Sequence, residues 1–298
     1  MMKVNHHAVP VIFGEVLFDF FPDGNSVLGG APFNVAWHLQ AFGLSPLMIS
    51  RVGDDGLGKK VKTLMQGWHM NTNGLQLDPE HPTGSVDITF DKGEPRYSIV
   101  EHRAYDYIDA NLLPVSAGNS MLYHGSLVLR NQNSRQALSK LKRHHTGSIF
   151  IDVNLRDPWW QKEFISHLAD EADWVKLNEA ELALLGCGVG NIRSQAREFI
   201  DNSRLEGLVV TLGEKGAIAL TANSEFAEVM PSQTLEVVDT VGAGDAFTSV
   251  LILGLSHNWP LEQMVQRAQD FASLIVCQQG ATIHNPGFYQ AIIADWGL

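Results

Sequence analysis

The stretch Asp239-Thr240-Val241-Gly242-Ala243-Gly244-Asp245-Ala246-Phe247 decides how this chain is read. It stands between a β-like stretch, Leu235–Val238, and a very apolar helix predicted over Ala243–Leu255. Gly242 and Gly244 let the backbone turn tightly, so that successive N–H groups point the same way at a helix start. Main-chain amides arranged in this way form an anion hole suited to a phosphoryl group in transfer. Asp245, directly after it, can accept a proton from an attacking hydroxyl. A plain glycine turn, with Asp245 as an early-helix charge favoured by the dipole, is the reading these residues alone also allow.

Upstream of this stretch the pattern alternates. Strands are predicted at Met121–Tyr123, Ile149–Asp152, Trp174–Leu177 and Gly207–Thr211, and helices at Ser134–His144, Glu179–Leu185 and Ile192–Asn202. Strands separated by helices indicate βαβ units and a mostly parallel sheet. Leu261–Cys277 reads as a late helix. Near the N-terminus, Val9–Phe18 reads as one buried strand, Gly29-Gly30 as a turn, and Pro32–Phe42 as a helix with Pro in its first turn and Gly43 as its stop. Ser85–Phe90, the turn Asp91-Lys92-Gly93 and Arg96–Val100 read as an inserted hairpin. The expectation is a single α/β domain over residues 1–298.

Of the 298 residues, 45% are hydrophobic and 18% charged, as in an ordinary globular chain. With 33 acidic and 21 basic residues the net charge is −12, which repels a phosphate backbone and argues against nucleic acid as a partner. No apolar run approaches the roughly 20 residues that span a bilayer. Residues 1–11 lack the features of a secretory signal, and Cys187 and Cys277 are too few for a disulfide framework. A reducing, cytoplasmic setting is expected.

Asp239–Phe247 resembles the C-terminal signature of the ribokinase-like (PfkB) sugar kinases, and Gly29-Gly30-Ala31-Pro32-Phe33-Asn34-Val35-Ala36 resembles their N-terminal one. The resemblance implies a three-layer sandwich with a mostly parallel central sheet, and a β-lid contributed by about residues 15–22 and 83–102. It also implies ATP with Mg²⁺ as phosphoryl donor. By that likeness Asp245 is the base, and Gly242, Ala243 and Gly244 form the anion hole.

Asp19, at the end of the first apolar run, can accept bonds from two adjacent hydroxyls. The likeness makes it a sugar ligand together with Gly30 and Asn34. Arg156, in Asp152-Val153-Asn154-Leu155-Arg156, and Arg103, after the hairpin, match arginines that reach the substrate in related sequences. Asn178-Glu179-Ala180-Glu181 matches the family's N-x-x-E element, with Glu181 organising water around Mg²⁺; Asn178 alone also suits a helix cap. Thr211, Gly213 and Gly216 resemble the nucleotide turn, Ser273 the approach to the adenine, and Asp239 the place where relatives hold a monovalent cation such as K⁺. The likeness further suggests a homodimer through the lid.

Two other glycine motifs fail. Gly53–Lys60 nearly fits the P-loop, but Lys60 stands where Mg²⁺ needs Ser or Thr. Gly242-Ala243-Gly244 is followed by Phe247 where the dinucleotide fingerprint requires glycine, which removes an oxidoreductase. A non-catalytic sugar or nucleotide sensor would be expected to lose the base or the anion hole, and both are intact. His124-Gly125-Ser126-Leu127 lacks the acid that ribokinases proper carry there, which speaks against ribose. The Gly-Ala-Pro-Phe-Asn and Asn-Leu-Arg runs favour a fructokinase-like hexose, with a sugar acid such as 2-keto-3-deoxygluconate or a riboside as alternative.

Overall fold

In the computed structural model, which describes residues 9–91, 94–115, 120–186, 190–232 and 236–298, the apolar run Val9–Phe18 is not one strand. β1 covers Val11–Phe13, β2 covers Leu17–Phe20, and the two belong to different sheets. Gly14 begins the break: its N–H donates to Ile49 O (3.1 Å), and a side chain there would meet the Pro32 ring. Periodicity cannot reveal this step, because every residue from Pro10 to Phe18 is buried whichever sheet it serves. Cys187, Leu235, the Lys92-Gly93 turn and the first eight residues lie outside the described residues.

Two compact units emerge. The first comprises Pro10–Ser116, Val128–His144 and Thr282–Leu298. In it β2 turns back into β3 (Ser26–Gly29), and α1 (Ala31–Ala41) follows with Pro32 in its first turn, where the missing N–H has no partner to lose. β4 (Leu47–Gly53) pairs in parallel with β1, α2 (Gly56–Gly67) follows, and β5 (Leu75–Asp78) pairs in parallel with β4. The near-miss P-loop is thus a strand end and a helix start: Asp55 caps α2 by accepting from Gly58 N (2.7 Å). The hairpin is present, with β6 (Gly84–Asp91) antiparallel to β7 (Glu94–Ile99). β6 also lies parallel to β2, with Asp19 opposite Val86, so the small sheet runs β3-β2-β6-β7. Ser26–Gly29 joins this sheet besides the segments expected of the lid. α3 (Gln132–Lys142) belongs to the same unit.

Of the described residues, the second unit comprises residue 9 and those within 120–127 and 145–281. β8 (Leu122–His124), β9 (Ile149–Asp152), β10 (Trp174–Asn178) and β11 (Gly207–Thr211) are parallel neighbours, as the alternation predicts. β12 (Ala217–Thr221) and β13 (Phe226–Val229) extend them antiparallel. Apolar runs of this kind form parallel strands because both faces are covered by helices. Those helices are α4 (Lys162–Asp170), α5 (Glu179–Leu185), α6 (Ile192–Ser203), α7 (Ala243–Ser256) and α8 (Leu261–Ile275). Glu236–Val238 are irregular rather than β-like, and Val238 N and Asp239 N share Val276 O instead of joining a sheet (2.8 and 3.1 Å).

The closing helix α9 (Pro286–Trp296) belongs to the first unit. There Trp37 stacks on Trp68 at 4.6 Å and donates its indole N–H to Ile283 O (3.0 Å). The fold class is α/β, mostly parallel strands flanked by helices with a second small sheet. Among the described residues no helix is long and apolar enough to cross a membrane.

Candidate active site

In the second unit the candidate residues gather at the C-terminal ends of parallel strands, the edge where α/β sheets bind ligands. Asn178 and Thr211 are register partners on β10 and β11, as are Asp152 and Lys176 on β9 and β10. Asn178 caps α5: its side chain accepts from Glu181 N (2.9 Å), and Glu181 Oε2 accepts in return from Asn178 N (2.8 Å). Glu181 Oε1 accepts from Leu155 N (2.7 Å), which ties the loop after β9 to the start of α5. Burial first, and the nearby Asp152 charge second, hold the Glu181 carboxyl above the ordinary range against these N–H donors.

The Gly242-Ala243-Gly244 turn opens α7. Gly242 sits at φ 80°, and a Cβ there would come within 2.6 Å of Ala281 Cα, so glycine is required both by conformation and by space. Ala243 N makes a long bond to Thr240 O (3.4 Å). Gly244 N and Asp245 N lie in the first turn, where a helix has no carbonyl to offer them. Asp245 is half-buried in that turn.

Beneath it lies a polar cluster that the sequence reading missed. Lys176 Nζ donates to Asp152 Oδ2 (2.9 Å), and Thr248 Oγ1, one turn into α7, donates to the same oxygen (2.8 Å). A Cβ on Gly244 would stand 3.2 Å from Lys176 Nζ. Burial by itself would lower the Lys176 pKa; Asp152, then Glu181 and Asp245, outweigh it and hold the ammonium above its ordinary value. A lysine at a buried position of the apolar strand Trp174–Leu177 was the available signal. Asp152 Oδ1 is buried with no hydrogen-bond partner.

The other residues of this unit are less committed. The 212–216 turn is closed by Leu212 N donating to Gly216 O (2.8 Å), with Gly213 at φ 63° and Gly216 at φ 97° packed under Val229 O. Ser273 Oγ donates back to Gln269 O (2.9 Å) within α8. Asp239 accepts from Val241 N (3.0 Å) and Gly280 N (3.1 Å). Arg156 is exposed, with Nη1 on the carbonyl of Leu155 (3.2 Å).

In the first unit the signature residues converge. A Cβ on Gly29 would lie 3.5 Å from Asp19 Oδ2 and 3.8 Å from Asn34 Oδ1, so β2, β3 and the first turn of α1 bring both side chains to one point. Gly30, at φ 108°, caps α1; a Cβ there would stand 2.7 Å from Glu15 O. Arg103 is half-buried, and its Nε has no hydrogen-bond partner.

Comparison with known proteins extends this picture. Residues 21–287 match the pfkB family carbohydrate kinase. A fructokinase of Klebsiella pneumoniae is 30% identical over 288 residues, 91% of this chain and 92% of that one. An aminoimidazole riboside kinase of Salmonella typhimurium is 29% identical over 295 residues, 92% of each. The crystal structure of a Vibrio cholerae fructokinase in its fructose-, ADP- and calcium-bound form superposes with a TM-score of 0.79. It is 26% identical, and the match covers 96% of this chain and 99% of that one.

Proposed function

This chain belongs to the pfkB family of carbohydrate kinases and is a phosphotransferase with a sugar hydroxyl as acceptor; we propose that the acceptor is the primary hydroxyl of fructose and the donor ATP. The observation that supports this most is the start of α7, where first-turn amides and the Asp245 carboxyl stand together after a glycine whose conformation and close approach to Ala281 would strain any side chain. Asp245 takes the proton of the hydroxyl, and the amides of the Gly242–Gly244 turn and of Asp245 carry the charge on the transferring phosphoryl group. Asp19, Asn34, the Gly30 backbone and Arg103 hold the sugar. Asn178, Thr211, Gly213 and Gly216 border the nucleotide.

The residues present fit a hydrated divalent ion such as Mg²⁺. Asp152 Oδ1 is a buried acceptor without a partner, and Glu181 keeps a second lone pair on each oxygen after its backbone bonds. Among the described residues no cluster of three or more His, Cys, Asp or Glu side chains forms a cage for a bare ion. Asp152 and Glu181 would therefore hold Mg²⁺ with water and phosphate oxygens completing its shell. When bound, the ion neutralises phosphate charge. Asp239 is the group offered to K⁺. Exposed Val27, Phe90 and Tyr97 of the small sheet support a homodimer through that sheet, which sedimentation would measure.

A coupled assay of ADP release across fructose, 2-keto-3-deoxygluconate, ribose and aminoimidazole riboside tests the reading. Fructose should give the highest kcat/KM; a clear preference for one of the others would replace the acceptor, and no turnover of any would sink the assignment.

A further inference from the structure

We propose that Arg130 and Asp106 are positioning residues for the acceptor sugar, acting through Arg103; the inference rests on the reading of Arg103 as a sugar contact. Arg130 lies outside the lid hairpin and far along the chain from it, yet its guanidinium closes the loop that follows the hairpin. Nε donates to Asp106 Oδ1 (2.7 Å), Nη2 donates to Asp106 Oδ2 (2.8 Å), and Nη2 also donates to Val100 O (2.7 Å). Both ends of the Val100–Asp106 loop are therefore held by one planar fork, and Arg103 stands midway between them. Asp106 Oδ2 further accepts from Arg103 N (3.0 Å), so the carboxylate fixes the backbone from which the Arg103 side chain leaves.

Three features argue that this is placement rather than bulk stability. The pair is almost fully withdrawn from water, with side-chain exposures of 4% for Arg130 and 2% for Asp106. Desolvating two charges takes back much of their attraction, and an apolar pair of similar volume often serves stability as well, so geometry is the better account of a buried bidentate pair. His102, next to Arg103, is held at φ 56°, a left-handed conformation uncommon outside glycine, and its Nδ1 is hydrogen-bonded to the Tyr107 hydroxyl (2.9 Å), so the loop has a defined shape on the side of Arg103 as well. Finally, Arg103 Nε is a buried donor with no protein partner, the state expected of a group set in advance for an acceptor atom on a ligand. The same loop is tied to the hairpin, because Ala104 N donates to Pro82 O (2.8 Å) just before β6, the strand that sets Asp19 opposite Val86. Arg130 also stacks over the Tyr105 ring at 5.1 Å.

A lysine cannot reproduce the fork, because one ammonium is a point charge on a flexible stem. The test is a kinetic cycle of wild type, Arg130→Lys, Arg103→Ala and the double variant. Each is measured with the sugar that the wild type turns over fastest, varying sugar and ATP separately. Arg130→Lys should raise the sugar KM about tenfold or more, the scale of a small misplacement of an orienting group, while the ATP KM stays at its wild-type value. In the Arg103→Ala background the same change should add nothing to the sugar KM. Equal effects of Arg130→Lys with and without Arg103, or a lower melting temperature with the sugar KM unmoved, would overturn the proposal. If Arg130→Lys does not fold, Asp106→Asn takes its place in the cycle with the same expected outcomes. A wild type that phosphorylates no sugar removes both the functional reading and this inference, whereas additive effects in an active enzyme remove this inference alone.

Discussion

Lys176 Nζ and Asp152 Oδ2 lie 2.9 Å apart on neighbouring parallel strands, where the register makes the two residues direct partners. The pair is buried, and Thr248 on α7 shares the same carboxylate oxygen, so the strand ends and the second turn of α7 are fastened at one point. Removing one member leaves the other charge buried and uncompensated. Lys176→Met should therefore lower stability by about 3–5 kcal/mol in urea denaturation, and Lys176→Met combined with Asp152→Leu should recover much of that loss. A double variant no more stable than the single one would mean the cluster is held by something other than charge pairing.

Gly242 combines a left-handed backbone with a crowded approach to Ala281, whereas Gly43 has a similar φ of 86° and no heavy atom within 4 Å of its would-be Cβ. Gly43→Ala should cost about 1–2 kcal/mol for the conformation alone. Gly242→Ala should lower the melting temperature further and reduce kcat as well, because the amides at the start of α7 must shift. Comparing turnover and melting of the two variants checks this; equal behaviour would show that the contact with Ala281 is readily relieved.

Asp245→Asn keeps the shape of the first turn of α7 and removes the carboxylate proposed as the base. Turnover should fall by about 10²–10⁴, the usual contribution of a general base, while calorimetric sugar binding is retained. A variant that keeps its kcat would take the proton acceptor away from residue 245.

Asp55 predicts an acid-side effect. Burial by itself would raise its pKa, but the N–H groups of Thr83 and Gly58 and the Thr83 hydroxyl outweigh that and hold the carboxyl below its ordinary value. The folded value is the lower one, so the stabilisation is present above the unfolded value of about 3.9 and is lost as pH falls through the folded value. Asp55→Asn should be less stable than wild type at pH 7, with the gap closing as pH drops below about 4. Urea midpoints across that range measure it, and a gap that stays constant would exclude the titration of Asp55.

The sequence displays whatever is local or periodic. Ile149–Asp152 and Gly207–Thr211 are strands with the expected bounds because short apolar runs between helical patterns have few other uses in a parallel sheet. The glycines at 30 and 242 likewise announced turns that only glycine can make. Two kinds of feature stayed hidden. A break inside a uniformly buried run, as at Gly14, leaves no change of pattern to read. Pairings between distant positions, such as Arg130 with Asp106 or Thr248 with Asp152, join side chains whose separate sequence contexts look like a solvated loop charge or an ordinary helix residue. Lys176 belongs to the missed cluster too, although a lysine within an apolar strand is a signal that asks for a buried partner. Asn178 shows the opposite limit: the capping role read from its position is what its side chain performs, through Glu181, and the nucleotide contact proposed for it is separate from that bond.

The loop gripped at Val100 and Asp106 by a single guanidinium has a consequence for how such a protein can diverge. Glu101 and His102 face solvent and Arg103 is half-buried, while the residues that anchor the loop are packed inside. Mutations at the exposed positions can therefore accumulate and be sorted by selection while the clamp keeps the loop's outline constant. On the proposed role of Arg103, acceptor preference can drift in this way from one descendant to the next without any need to rebuild the surrounding fold.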